Sequence, residues 1–197
     1  MPLPRRSLFA AALLVITWPA LAQNDAVLVE GQAFARRAKV AGQDLLLNGT
    51  GVRAVAWFKG YAAGLYLASR CTTAAQAVAL AGAKRLQMRM LQEVPAAEFV
   101  KAFRKGIERN AAATELPRLA ERMARFEALI TGIGKVRKGD RVDLDFEPGR
   151  GTAFSLNGTL RGEPIEGDDL YAALLRSFVG ERPYDNMLRA GLLGERS

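Results

Sequence analysis

The stretch LNGTGVR at residues 47–53, followed by KGYAAGLYL at residues 59–67, decides the fold. Apolar runs within and beside these stretches, at 45–47, 52–58 and 61–67, have the length and the bounding turn residues typical of strands. Several short strands in succession, joined by short turns, favour neighbours that run in opposite directions. The two stretches therefore predict an antiparallel sheet.

Asn48-Gly49 is the strongest local hairpin signal in the first stretch. Both residue types tolerate the positive φ angles of a type I′ turn, which joins two antiparallel strands. The tetrapeptide LNGT recurs at 156–159. We therefore predict a hairpin tip at each of the two Asn-Gly pairs.

Helical periodicity appears after a strand in which Leu86, Met88 and Met90 share one face. Residues 95–110 and about 116–130 repeat apolar side chains with the spacing of amphipathic helices. Two further helices are expected behind Asp168 and Asp185, which are both suitable N-cap residues. Strands, then helices, then strands and helices again predict an α+β domain, a large antiparallel sheet with helices on one side.

The N-terminus has the pattern of a secretory signal. Arg5 and Arg6 precede an apolar run over 8–18 and the small residues Ala20-Leu21-Ala22. We expect cleavage after Ala22, so that residues 1–22 are the signal peptide, residues 23–197 form a single domain, and the protein is periplasmic. The run is shorter than the roughly 20 residues of a membrane span. The Arg-Arg pair leaves both the general secretory route and the twin-arginine route open.

Composition excludes several kinds of chemistry. The chain contains no histidine and one cysteine, Cys71, which excludes Ser-His-Asp triads, histidine metal sites and an intrachain disulfide. No phosphate-binding glycine fingerprint is present. We therefore expect no metal and no cofactor.

The charge favours a small anionic partner. The formal net charge is +8, and loss of Arg5 and Arg6 leaves 8 − 2 = +6. An exported protein rarely meets nucleic acid, so we expect none as a partner, and weak contact with an anionic membrane surface through a basic helix face is the alternative. Asp140, Asp143 and Asp145 alternate along a predicted strand and are expected to face solvent. The oligomeric state is not predicted.

The two opening stretches resemble the core of chalcone isomerase and its bacterial relatives. The end of the chain does so too, with FVGERPYD at 178–185 leading into LRAGLLG at 188–194. The resemblance implies an open-faced β-sandwich, with a ligand cleft between the large sheet and the helices. It also implies that Arg53 is the arginine of that cleft.

The remaining cleft positions depart from the enzyme. The plant isomerase closes a chalcone by attack of a phenolate on an unsaturated ketone, which requires a cation and hydrogen-bond donors. Phe99 cannot donate a hydrogen bond and Met90 cannot carry a charge. We therefore predict that isomerase chemistry has been lost. By resemblance, the altered positions are Tyr61 for threonine, Met90 for lysine, Phe99 for tyrosine and Gly106 for asparagine, while Ser177 keeps a hydroxyl.

Plant plastid members of the same family bind fatty acids, and Arg53 and Tyr61 look similar to their acid-binding pair. The hypothesis is that Arg53 and Tyr61 hold the carboxylate of a lipophilic acid, because the arginine fork fits a carboxylate bidentately. Two alternatives stay open. A remaining isomerase, an intramolecular lyase, predicts turnover, and a structural protein predicts a filled cleft with Arg53 paired to an internal carboxylate. The expected pocket wall consists of Met88, Met90, Phe99 and Phe103, with Ser177 nearby.

Overall fold

A computed structural model describes residues 25–55 and 58–195. Eleven strands and five helices lie in these residues. The strands are β1 (Ala26–Val29), β2 (Gln32–Ala35), β3 (Arg37–Val40), β4 (Gln43–Val55), β5 (Phe58–Leu67), β6 (Lys84–Met90), β7 (Val94–Pro95), β8 (Lys135–Val136), β9 (Arg141–Glu147), β10 (Gly151–Leu156) and β11 (Thr159–Leu160). The helices are α1 (Ala74–Ala79), α2 (Ala96–Asn110), α3 (Leu116–Thr131), α4 (Asp169–Val179) and α5 (Asn186–Leu192). The predicted signal peptide lies outside the described residues.

Seven strands form one antiparallel sheet in the order β11-β10-β9-β6-β5-β4-β3. The helices pack on one face, which we call the helix face, and the β1–β2 hairpin packs on the other, which we call the back face. The sheet curls, so that edge strand β3 approaches β9. This architecture confirms the predicted α+β fold with an open-faced β-sandwich.

The helix face carries the main core. Leu86, Met88 and Met90 of β6 are at most 2% exposed and lie in one cluster with apolar residues of α2, α3 and α4. The helices begin and end close to their predicted bounds, because their apolar residues recur at helical spacing and bury one face of each. Asp168 makes no side-chain cap at α4, whereas Asp185 caps α5 as predicted.

The first predicted hairpin tip is wrong, and its residues serve another purpose. Asn48 and Gly49 lie inside β4, next to a bulge in its pairing with β5. The buried Asn48 side chain donates to the carbonyls of Cys71 and Leu192, at 2.9 and 2.8 Å, and accepts from the Cys71 N–H at 2.7 Å. Asn48 therefore fastens three separate segments together instead of turning the chain. The second tip is confirmed, since Asn157 and Gly158 have φ angles of 53° and 81°.

Helix α5 packs on β4 through glycines. A Cβ on Gly49 would lie 2.1 Å from the Gly191 carbonyl oxygen, and a Cβ on Gly191 would lie 2.3 Å from that of Thr50. Neither position has room for a side chain. The glycines of the two stretches that carry the family resemblance thus bring the strand and the last helix into backbone contact, which places the start of α5 beside Arg53.

The back face is more polar than the sequence predicted. Asp143 and Asp145 are 2% and 7% exposed, so the expectation that they face solvent is wrong. They lie against Arg85 and Gln87 of the neighbouring strand β6, which supply their hydrogen bonds. On the same face, Phe34 of the β1–β2 hairpin lies directly over Gly64, where a Cβ would be 2.8 Å from its ring.

Candidate functional site

Three neighbouring strands place three of the predicted site residues side by side. Arg53 of β4 is the register partner of Tyr61 of β5, which is in turn the partner of Met90 of β6. Directly opposite residues of an antiparallel pair point to the same face of the sheet. A bulge follows Arg53 in this pairing. The sheet therefore places the arginine beside the tyrosine, as the hypothesis of a carboxylate clamp requires.

A cavity of about 220 Å³ opens at this row, between the sheet, α2 and the segment that joins α4 to α5. Its walls are mainly carbon. Tyr61 stacks on Phe99 with ring centroids 6.4 Å apart, and Phe99 stacks on Phe103 at 6.3 Å. The lining consists of Arg53, Phe58, Gly60, Tyr61, Val94, Glu98, Phe99, Ala102, Phe103, Phe178 and Tyr184.

Arg53 forms an internal ion pair. Its Nη1 donates to the Ala54 carbonyl at 2.9 Å and to Oδ2 of Asp185 at 3.3 Å. The other carboxylate oxygen of Asp185 accepts from the N–H groups of Met187 and Leu188, which caps α5. This pair matches part of the structural-protein alternative, but the cleft is open. All side-chain hydrogen bonds of Arg53 to described residues use Nη1, and the side chain is 27% exposed.

Tyr61 is held in its neutral form. Burial raises the pKa of its hydroxyl well above the ordinary value, the charge of Arg53 lowers it, and that of Asp185 raises it again. A neutral phenol donates one hydrogen bond and carries no charge that would repel an anion. The tyrosine beside Arg53 is therefore a hydrogen-bond donor at physiological pH.

Tyr184 is a cleft residue that the sequence analysis missed. Its ring packs edge-on against Phe178 at 5.1 Å, and its buried hydroxyl has no hydrogen-bond partner among residues 25–55 and 58–195. Burial and nearby Tyr61 raise the pKa of this hydroxyl, and the neighbouring Ser177 hydroxyl and the Arg53 charge lower it in part. A Cβ on Gly106 would lie 2.3 Å from the Tyr184 oxygen. The tyrosine thus occupies the space that a side chain at position 106 would need, a contact between distant segments that no local pattern reveals.

Two of the predicted site residues lie behind the cavity, outside its lining. Met90 is fully buried beside Tyr61 on the neighbouring strand β6. Ser177 is fully buried in α4, and its hydroxyl donates to the Ala173 carbonyl at 3.1 Å. The Ser177 hydroxyl lies near that of Tyr184 and lowers its pKa, but the two do not meet the geometry of a hydrogen bond. Met88 borders a void of about 10 Å³ that Phe99 and Phe103 also border. Of the predicted set, Arg53, Tyr61, Phe99 and Phe103 line the cavity itself.

Two other kinds of site, a metal centre and a membrane span, have no candidate among the described residues. No group of three or more histidine, cysteine, aspartate or glutamate residues among them is placed to hold a metal ion. Within the same residues, no helix has the length and the apolar character needed to span a membrane. Cys71 is a buried free thiol, and burial raises its pKa.

The fold and the site define a sheet-and-helix domain with an apolar cleft lined by an arginine and two neutral tyrosines. The model of the chalcone isomerase-like family matches residues 26–194, and the chain belongs to that family. Among solved structures, it is similar to a fatty-acid-binding protein of Arabidopsis thaliana, with a TM-score of 0.66 and 15% identity over 85% of this chain and 95% of that one. None of the curated proteins matches the chain.

Proposed function

We propose that this protein binds a fatty acid or a similar lipophilic carboxylic acid in its cleft without transforming it. The observation that carries the proposal is Arg53, a partly exposed guanidinium that opens into a cavity with mainly carbon walls. A charge at the mouth of an apolar pocket favours a ligand with an anionic head and a hydrophobic body. The small lipophilic acid is the partner expected from the sequence, and no role for nucleic acid is proposed.

The clamp combines one charge with two neutral donors. Because Asp185 engages only Nη1 of Arg53, the remaining N–H groups of the fork are left for a ligand carboxylate. Tyr61 stands beside Arg53 in the sheet register, and the unpaired hydroxyl of Tyr184 borders the same cavity. Hydrogen bonds to a charged acceptor are worth more than neutral ones. A bound carboxylate would satisfy the Tyr184 hydroxyl that the protein leaves unpaired.

The cavity favours a compact acid. About 220 Å³ lies below the range of roughly 300–1,000 Å³ that is common for drug-sized ligands. Phe99 and Phe103 stand between this cavity and the small void behind it. A short acyl chain or an aromatic body therefore fits the cleft, and a longer chain requires these two rings to move.

The fold similarity agrees with this proposal. The Arabidopsis protein is named as a fatty-acid-binding protein, and it shares the fold of this chain. An absence of isomerase chemistry follows from the side chains, since Phe99 and Met90 supply neither donor nor charge. The alternative function, an isomerase that acts on a chalcone-like compound, draws support from the unpaired Tyr184 hydroxyl, which is a donor the sequence analysis had not counted.

We further propose that the protein is exported and acts in the periplasm. The support is the arrangement of Arg5, Arg6, the apolar run and Ala20-Leu21-Ala22 in the sequence. Sequencing the N-terminus of the protein from a periplasmic fraction tests this proposal, with Gln23 as the expected first residue. A chain that retains residues 1–22 in the cytoplasm would contradict it.

The binding proposal is tested by native mass spectrometry of the purified protein, followed by denaturing extraction of any bound compound. We expect a lipophilic acid on the wild-type protein and none on Arg53→Ala. Asp185→Asn is the matched control, because asparagine is as good an N-cap as aspartate and the variant breaks the ion pair while Arg53 stays. It should retain the acid. Empty protein in all three samples, or turnover of a chalcone far above background, would overturn the proposal.

A further inference from the structure

The back face of the sheet carries a second group of charges that the cleft does not use. Arg85 and Arg89 of β6 and Arg141, Asp143 and Asp145 of β9 alternate with core residues and therefore share this face. Three positive charges thus meet two negative ones. The surplus positive charge lies where the sheet is largely buried.

Both aspartates, Asp143 and Asp145, already have partners within the protein. Arg85 donates from Nε and Nη2 to the two oxygens of Asp145, at 2.7 and 2.6 Å. Asp143 accepts from the amide of Gln87 at 2.8 Å, and its other oxygen lies 3.0 Å from Nε of Arg141. These contacts neutralise Arg85 and Arg141. They leave Arg89 without a carboxylate.

No aspartate or glutamate comes within 4.0 Å of Arg89, and all 20 such residues of the chain lie in the described ranges. Its Nε is buried and makes no hydrogen bond to a described residue. Arg89 is also the register partner of Arg141, and like charges directly opposite in a sheet are destabilising. Burial and then the Arg141 charge lower the pKa of Arg89. Asp143 raises this pKa in part but forms no ion pair with Arg89, so the fold keeps a half-buried cation without a direct partner where proteins normally provide one.

Tyr66 adds a hydroxyl to the same place. It is 1% exposed and is the register partner of Arg85 on the back face. Burial raises the pKa of its hydroxyl to about 12, and Arg89 is the first of the neighbouring charges that lower it. Tyr66 is thus a neutral donor close to the unpaired guanidinium.

We propose that Arg89, together with Arg141 and Tyr66, forms a binding site for a small oxyanion, a phosphate, sulfate or carboxylate group, on the back face of the sheet. A guanidinium offers a planar fork that fits such groups, and a charge-assisted hydrogen bond is stronger than a neutral one. An oxyanion at this position supplies the missing negative charge and removes the repulsion between the two arginines. The site lies on the opposite face from the cleft and goes beyond the proposed acid-binding function.

The test measures the affinity of the purified protein for inorganic phosphate by calorimetry, in chloride buffers of matched ionic strength. We expect saturable binding to the wild type and an affinity about ten- to hundredfold lower for Arg89→Gln. In chloride alone, Arg89→Gln should unfold at the same temperature as the wild type or higher, because the variant removes an unpaired charge. Arg89→Lys is a second variant, which keeps the positive charge but loses the planar guanidinium. We expect its phosphate affinity to lie between those of the wild type and Arg89→Gln.

A matched control locates the site. Arg125→Gln removes an exposed arginine of α3 and should bind phosphate as the wild type does. Sedimentation with phosphatidylglycerol vesicles distinguishes a lipid headgroup from a free anion, and either source agrees with the proposal if binding depends on Arg89. Equal phosphate affinity of the wild type and Arg89→Gln, or no binding of phosphate, sulfate or acetate above chloride, would overturn it.

Discussion

The two faces of the seven-stranded sheet each place an arginine near a tyrosine, but they treat the charge differently. On the helix face, Arg53 lies among carbon atoms and has one dedicated counter-ion, Asp185, which also caps α5. On the back face, Arg85 forms hydrogen bonds to Asp145, Arg141 forms an ion pair with Asp143, and Arg89 has no carboxylate within 4.0 Å. Arg53 therefore has a counter-ion and is still accessible to a ligand. Arg89 has no counter-ion within ion-pair distance.

The difference shows what each face is able to bind. An apolar cleft selects a ligand by its hydrophobic body and needs only one charge to orient the head. A polar face has no apolar cavity for such a body, so it must recognise a ligand by charge and hydrogen bonds. Both faces keep a buried polar atom without a hydrogen bond to a described residue, the Tyr184 hydroxyl in the cleft and Nε of Arg89 on the back face. Departures from full pairing are expected where a protein meets a ligand.

The largest expected effect comes from breaking the network of the back face. Asp145→Ala leaves Arg85, whose side chain is 19% exposed, without its bidentate partner. Removing one member of a buried pair leaves an uncompensated charge and typically costs about 3–5 kcal/mol. We expect the free energy of unfolding, measured by denaturant titration, to fall by that amount.

Asp44→Ala is the matched control for this substitution. Asp44 lies 3.5 Å from Lys39, but both side chains are well exposed, at 72% and 65%. Exposed pairs contribute about 0–1 kcal/mol. If the two aspartate variants lose equal stability, the contrast between a buried network and a solvated surface pair is wrong.

The sequence predicted the fold well because its signals are local. The alternation of Leu86, Met88 and Met90 indicated a one-sided strand, and four-residue spacing indicated helices α2 and α3. Arg53 and Tyr61 were predicted as a pair from the family motif, and the register of β4 and β5 places them side by side. Their role as a clamp stays a prediction.

The errors have a common physical cause. Asn48-Gly49 has the composition of a turn, but a partner 144 residues away, Leu192, sets its conformation. Asp143 and Asp145 were assigned to solvent because charged residues are usually exposed, whereas cross-strand partners and the curl of the sheet bury them. Tyr184 was not predicted because its position in the cleft depends on the absence of a side chain at Gly106, which lies far away in the sequence. Contacts between distant segments leave no periodic signal.

An effect of intermediate size is the loss of folding stability at alkaline pH. Burial raises the pKa values of all four tyrosines, Tyr61, Tyr66, Tyr171 and Tyr184, and Tyr66 on the back face has the value of about 12. Because the folded state holds these protons more tightly than the unfolded state, the stability that they contribute is complete below about pH 10 and falls as the pH rises further; the Tyr66 share is lost as the pH rises through about 12. For one tyrosine, a tenfold tighter hold on its proton in the folded state corresponds to about 1.4 kcal/mol.

The measurement is tyrosinate absorbance during an alkaline titration. At about pH 11, where ordinary tyrosines are mostly ionised, the folded protein should show little tyrosinate and the denatured protein nearly all of it. Arg89→Gln should raise the pKa of Tyr66 further, since the Arg89 charge lowers it in the wild type. Folded protein that titrates at the ordinary tyrosine pKa would show that the rings are more accessible than their burial indicates.

The smallest expected effect separates ligand binding from stability in the cleft. Tyr184→Phe removes a buried hydroxyl that has no hydrogen-bond partner among the described residues. Because an unsatisfied buried donor costs about 1–3 kcal/mol, the variant should gain about 1 kcal/mol in free energy of unfolding. The same variant should bind a lipophilic acid about three- to tenfold more weakly, because the acid loses one hydrogen bond.

Tyr171→Phe is the matched control on the same face, since the Tyr171 hydroxyl donates to the Leu144 carbonyl at 3.3 Å and lies outside the cavity lining. It should lose stability and leave acid affinity unchanged. A gain of stability in Tyr184→Phe together with weaker binding requires that the hydroxyl is kept for a ligand, because a purely structural residue would change both quantities in the same direction or leave binding untouched. If Tyr184→Phe loses stability as Tyr171→Phe does, the hydroxyl has a partner within the protein, and the cleft holds its acid with Arg53 and Tyr61 alone.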